Sequence, residues 1–336
     1  MRRFSIVLLA GLAPMFVQAA SLKVPEHFGS IQEAVDACSE GDTVLIAPGD
    51  YFENIRIEEK GALNLIGEGG AEKTVLDGNE KGIVIEILRS GRTVLRGLTL
   101  QRGYTVGNGG GLSVQQSDVE VLDCRFANNT ADNEGGGLMV GNCSDFLVSG
   151  CSFERNESEA ASAIGVVGGR GLLEKNRIRN NTGGLTISIS FSGCDIRGNT
   201  ITNNLSTGFG VIGYAVAYVA EVRNNTIAMN LGKEGFGAVL AQQGALRIEK
   251  NIIAFNEGIS GVQIESRDNL ITVEGNLIYQ NEGGDYLGIE GGNGDISVDP
   301  LFCDAKGGDF RVRAGSPCLD ADGGRVIGAL GKGCDH

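Results

Sequence analysis

Four charged residues, Arg125, Glu154, Arg177 and Arg179, carry the chemistry this chain could do. They lie within successive copies of one short phrase, at positions that alternate with buried ones, so a parallel arrangement of the copies would place them on one outward face. A guanidinium there can neutralise a sugar carboxylate, and a basic group beside it can take the adjacent C5 proton, which is what β-elimination from a uronate requires. Lys175 flanks Arg177 and adds to the patch. Hydrolysis would instead need two carboxylates about 5 to 10 Å apart, and Glu154, Glu157 and Glu159 are near one another in sequence. The same arginines around one glutamate also make a solvated face of mutual ion pairs with no chemistry at all.

The phrase that positions them recurs every 23 to 27 residues: Cys124-Arg-Phe-Ala-Asn-Asn129, Cys151-Ser-Phe-Glu-Arg-Asn156 and Asn176-Arg-Ile-Arg-Asn-Asn181, continuing from Asn199, Asn225, Asn251 and Asn276. Its third position is always large and apolar: Leu100, Phe126, Phe153, Ile178, Ile201, Ile227, Ile253, Ile278. Five and three places upstream of each phrase lie pairs such as Val119 and Val121, Phe146 and Val148, or Cys194 and Ile196, the alternation of a strand with one buried face. A third apolar run follows, as in Leu138 to Val140 or Val262 to Ile264. Three short strands per repeat of this size predict an all-β fold, a single-stranded right-handed parallel β-helix. The asparagines are read as turn residues that tolerate left-handed backbone and stack amide on amide up the coils.

The ends carry other signals. Ser30 and Glu33 make a capping box, with Ile31, Ala34, Val35 and Cys38 at helical spacing, predicting a short capping helix over residues 30–41. Residues 1–19 read as a signal peptide, with Arg2 and Arg3 before an apolar run over residues 4–17 and cleavage after Ala19. Gly11 and Pro14 interrupt that run, which argues against a membrane anchor, and no transmembrane segment is expected elsewhere. Residues 20–336 form one domain, closed by residues 297–336, and export places it in the periplasm or outside the cell.

The net charge is −14, or −16 once Arg2 and Arg3 are removed, which excludes nucleic acid as partner. Among eight cysteines, Cys124 and Cys151 share a column in adjacent coils, with Cα atoms about 5 Å apart, so they are the candidate disulfide; stacked buried thiols are the alternative. One bridge is expected among Cys303, Cys318 and Cys334, and Cys194 should be a buried thiol. The two histidines, His27 and His336, have no metal-ligand spacing with them, so no metal site is expected. Asp320 and Asp322 hint at a Ca²⁺ loop, the one cofactor the sequence admits. No Trp is present; Tyr214 and Tyr218, in what reads as an insert over residues 208–220, could wall a sugar-binding groove. Interleaved charges at Glu174, Arg197, Arg223, Glu249 and Glu274, beside Asp195, Glu221 and Arg247, read as a structural ladder.

The stretch from Ser30 through Gly41, Pro48 and Asn54 resembles the first coil of the pectate-lyase-like β-helix superfamily. Asp299-Pro-Leu-Phe302, Gly308-Asp-Phe-Arg311, Ala314-Gly-Ser-Pro317 and Ile327-Gly-Ala329 resemble the closing segment of exported bacterial β-helix repeat proteins. The resemblance spans the mature chain and implies the fold, while the active-site signatures of pectin methylesterases, polygalacturonases and extracellular pectate lyases are missing. The expectation is a monomer that binds or processes an extracellular polysaccharide or cell-surface glycan, by lyase chemistry if it is an enzyme. The alternative is a non-catalytic adhesion scaffold, because Phe126-Ala-Asn-Asn129 followed by Gly135-Gly-Gly137 resembles polymorphic outer-membrane passenger repeats. A third reading, the β-helix protein of copper-enzyme maturation, shares the repeat without a metal cluster.

Overall fold

The computed structural model describes residues 19–232, 235–266, 270–319 and 326–335. The signal peptide and the Asp320–Asp322 loop therefore lie outside the described residues, apart from Ala19. The rest is a right-handed parallel β-solenoid of about 12 turns. Two of its three faces merge into one nineteen-stranded sheet, and the third is a ten-stranded sheet built from the phrase itself. A five-stranded sheet of two-residue strands, Tyr104–Thr105 to Leu205–Ser206, lines one corner.

The apolar column stacks in register, Leu100 on Phe126, Phe153, Ile178 and onward, and each member is essentially solvent-free. Phe126 and Phe153 stack face to face, 4.5 Å between centroids. Beside this column run two hydrogen-bonded asparagine ladders. In one, the backbone N–H and Nδ2 of Asn156 both donate to Asn181 Oδ1, and those of Asn181 donate to Asn204 Oδ1. The other runs from Asn176 to Asn276 and ends on Asp295, whose Oδ1 accepts both donors of Asn276. A last rung needs only an acceptor, so a carboxylate serves. The left-handed backbone falls one residue before each rung, at Lys175, Asn180, Asn203 or Phe255, so the ladder asparagines themselves are chosen for hydrogen bonding and not for φ.

That ladder also corrects the proposed disulfide. Cys124 and Cys151 are both free, buried thiols, and the Cys124 N–H donates to Cys151 Sγ at 3.4 Å, the sulfur standing where later coils have an amide oxygen. Cys194 is a buried thiol as expected. The helix is shorter than the spacing suggests: it covers Ile31–Ala37, with Ser30 Oγ accepting from the Glu33 N–H. Cys38 closes on Val35 O and turns extended, so Gly41 belongs to the following turn.

The C-terminal segment covers the side of the solenoid. Phe302–Asp304, Asp309–Arg313 and Lys332–Cys334 form a small sheet joined by the Cys303–Cys334 disulfide. Phe302, Phe310, Val312 and Ile327 pack on Ala228, Ile252, Ala254 and Leu277 of the ten-stranded sheet. The Gly328 N–H donates to Lys250 O and the Ala329 N–H to Thr226 Oγ1. The bridge closes a 31-residue separation. Cys303→Ser should therefore cost the segment nearly 4 kcal/mol, on the order of the loop-closure entropy. Expected on heating are dye binding to the uncovered Ala228–Ile252 face and an unchanged far-ultraviolet signal from the coils.

Candidate functional site

The phrase strands Arg125–Ala127, Ser152–Glu154, Arg177–Arg179 and Thr200–Thr202 lie side by side, parallel and in register. Their middle residues point into the core, so the flanking ones share the outer face. One column reads Arg125, Ser152, Arg177, Thr200, and the other Ala127, Glu154, Arg179, Thr202. The four residues singled out in the sequence are thus brought together.

Glu154 is their centre, with a side chain only 11% exposed. Its carboxylate lies 3.0 Å from Arg155, 3.3 Å from Arg179 and 3.6 Å from Arg125. Arg155 was not foreseen as a partner. It takes a left-handed φ of 55°, one residue beyond the strand, and its guanidinium lies against the neighbouring carboxylate. Arg177 has no ion-pair partner among the described residues. It joins two hollows, one of about 340 Å³ with Glu72, Asp123, Arg125, Glu154 and Arg179, the other of about 370 Å³ with Lys175, Phe310 and Arg311. In the second, the Arg311 hydrogen bond holds the Asp309 carboxyl below its usual range. Five cations against four carboxylates line the pair of hollows, one positive charge in excess on a chain of net charge −14.

Among the described residues the C-terminal segment packs on the later coils of the ten-stranded sheet and reaches the Arg177 coil only at its edge, where Phe310 and Leu330 form one bank of an open groove. Glu157 and Glu159 are exposed and do not line the groove, so the carboxylate pairing read from the sequence does not form there; the carboxylates beside Glu154 are Glu72 and Asp123.

Tyr214 is not a groove wall. It is fully buried in the core and its hydroxyl donates to Cys194 O at 2.6 Å, with burial pushing its pKa well above the ordinary phenol value. The apparent insert is a continuation of one strand, Ile212–Arg223, that leaves Tyr218 outside. The charged ladder forms as read, with Arg197 paired to Asp195 at 2.6 Å and Arg223 to Glu249 at 3.1 Å. A larger hollow of about 690 Å³ opens between that ladder and the C-terminal segment, lined by Arg223, Arg247, Glu249, Asn293 and Pro317. Sequence gave no signal for it, since it depends on where the segment folds back. Among the described residues no cluster of three or more His, Cys, Asp or Glu side chains is placed to hold a metal ion. No helix among them is long and apolar enough to cross a membrane.

The model of the right handed beta helix region matches residues 81–227. Among solved structures, pectate lyase Pel9A superposes with a TM-score of 0.57 at 14% identity, over 90% of this chain and 91% of that one. The fold is the pectate-lyase-like right-handed parallel β-helix. Pectin methylesterase PemA from Erwinia chrysanthemi superposes less well on this β-helix, with a TM-score of 0.40 at 10% identity over 83% and 92% of the two chains. PfbA, a surface adhesin of Streptococcus pneumoniae, gives 0.31 at 12% over 79% and 91%. No curated protein matches the sequence of this β-helix. At these identities the likeness speaks for the fold and leaves the chemistry to the residues in the groove.

Proposed function

We propose that this β-helix is exported and binds an acidic polysaccharide along the open part of its ten-stranded sheet. The observation that carries the reading is Arg177, a groove guanidinium with no ion-pair partner among the described residues, beside a glutamate already held by three others. A sugar carboxylate on Arg177 would meet an uncompensated cation and displace no existing pair. The parallel coils give a straight track, and the polysaccharide-acting names of the structures that share the fold suit a glycan. The Cys303–Cys334 disulfide fits an oxidising compartment.

Binding is favoured over turnover by the identity of the free group. A guanidinium stays protonated at any physiological pH, which suits charge neutralisation better than proton abstraction. The test is titration calorimetry with oligogalacturonate and oligoalginate, with the ultraviolet absorbance of unsaturated uronate ends followed in parallel. Arg177→Ala should weaken binding roughly fivefold, or about 1 kcal/mol, in line with one exposed ion pair. Unsaturated ends that vanish in the variant would convert the reading to a lyase. Binding to neither glycan, or equal binding by the variant, would sink it.

A further inference from the structure

A second feature lies away from the groove, at the corner where the two halves of the nineteen-stranded sheet meet. Successive coils turn that corner through one left-handed residue: Glu59, Arg89, Gln116, Asn142, Gly168 and then Phe191. The first five are polar or glycine, as such a backbone favours. Phe191 has a φ of 53° and is 53% exposed, so the ring gains little burial in return for the strained conformation. Folding alone would favour Gly or Asn there.

The next coil bulges at the same place. Ala217 pairs with Gly244 and Ala220 with Leu246, so Tyr218 and Val219 oppose the single residue Ala245. The mismatch recurs on the other side, where four residues between Ala217 and Val222 oppose three between Ser192 and Ile196. An extra residue of this kind re-aims side chains. Here it leaves Tyr218 58% and Val219 70% exposed, in the coil next to Phe191. Ser190 pairs with Val216 and Ser192 with Ala217, so Phe191 lies opposite the Val216–Ala217 step, immediately before the bulged stretch.

One charge stands at this platform. Val219 and Arg170 share a hollow of about 560 Å³, and a Cβ on Gly193 would lie 3.3 Å from Val219 O and 3.4 Å from Arg170 Cγ. The other charges there are all in ion pairs: Arg92 is shared between Glu120 and Asp145, each at 2.6 Å, and Asp195 is held by Arg197. Arg170 has no carboxylate at ion-pair distance among the described residues.

We infer that Phe191, Tyr218 and Arg170 form a second glycan subsite, in which the aromatic rings stack on the face of a sugar and Arg170 takes its carboxylate. Aromatic faces suit the C–H face of a pyranose, and the guanidinium selects an acidic one. Three exposed side chains beside polar surface fall well below the roughly 800 Å² per partner of a stable protein interface, which favours a sugar ring as occupant. The inference shares the ligand class of the proposed function but none of its residues.

The experiment is calorimetry with oligogalacturonate and oligoalginate, with a neutral cello-oligosaccharide for comparison, on Phe191→Asn, Tyr218→Ala and Arg170→Ala. Phe191→Asn and Tyr218→Ala should each weaken acidic-sugar binding about fivefold, on the scale of one aromatic contact. Phe191→Asn should also raise the unfolding midpoint by roughly 1–3 °C, since Asn suits the left-handed corner. A rise in stability with a loss of affinity is the pattern a merely structural Phe would not give. Arg170→Ala should reduce the preference for acidic over neutral sugar. In the Arg177→Ala background the aromatic effects should persist, so failure of the groove and failure of this platform are separable. Unchanged binding in both aromatic variants, binding by the parent to none of the three sugars, or self-association abolished by Tyr218→Ala would each overturn the inference.

Discussion

Asn181→Ala should lower the stability of the solenoid by about 4 kcal/mol, the largest single effect expected on the fold. The side chain is wholly buried. Its Oδ1 accepts from the Asn156 N–H and Nδ2, each at 2.9 Å, and its Nδ2 donates to Phe153 O and Asn204 Oδ1. Truncation leaves the Asn156 N–H and one Nδ2 hydrogen without an acceptor, the other staying on Phe126 O, and takes a donor from the Phe153 carbonyl, in a place water does not reach. Each buried orphan costs roughly 1–3 kcal/mol. The Asn181 backbone N–H still reaches Asn204 Oδ1, so the break is confined to one rung. A built-in comparison exists in the other ladder. Cys124 and Cys151 occupy rungs there, and a sulfur accepts the Cys124 N–H. Asn176→Cys should therefore cost about half as much, near 2 kcal/mol, because the acceptor is weakened and not removed. Denaturant unfolding of the two variants checks this; equal losses would mean that the amides fill space and the ladder contributes little.

The coil period, the inward columns and the charge ladder were legible because each depends only on spacing along the chain. Stacking repeats of constant length forces Ile178 onto Ile201 and Glu174 beside Arg197, whatever the side-chain details. The clustering of Arg125, Glu154, Arg177 and Arg179 was legible for the same reason. What escaped depends on local geometry or on contacts distant in sequence. Cys124 and Cys151 do share a column, but a column can be satisfied by an N–H···S contact as well as by a bond. Tyr214 looked like part of an insertion, yet the extra length is taken up as a bulge and the ring stays inside while Tyr218 goes out. The banks of the Lys175 hollow at Arg177 and of the larger one at Glu249 involve residues beyond position 300, brought back by the C-terminal segment. No periodicity encodes that fold-back. Its signal is compositional, in Phe302, Phe310 and Val312, apolar residues that have no coil of their own to fill.

Glu154→Gln should strengthen binding of an acidic glycan in the groove about tenfold at low ionic strength, the opposite of what loss of a catalytic group would do. A carboxylate about 6 Å from a bound uronate opposes it by roughly 1–2 kcal/mol at an effective dielectric between protein surface and water. Removing that charge returns about a factor of ten in affinity. It also frees Arg125, Arg155 and Arg179, now turned inward at 3.0 to 3.6 Å, to face the ligand. The cost to folding should stay near 1 kcal/mol, because these arginines are 38 to 57% exposed and can turn into solvent once their partner is gone. The gain should shrink as salt is raised, since the Debye length falls from about 10 Å at 0.1 M to a few ångström at 1 M. If instead Glu154 takes or gives a proton in a reaction, the glutamine variant loses turnover while substrate binding is kept. Calorimetry at two salt concentrations, with product formation followed alongside, separates the two. Stronger, salt-sensitive binding makes Glu154 a brake on an anion site, holding three guanidiniums in place so that Arg177 alone meets the sugar.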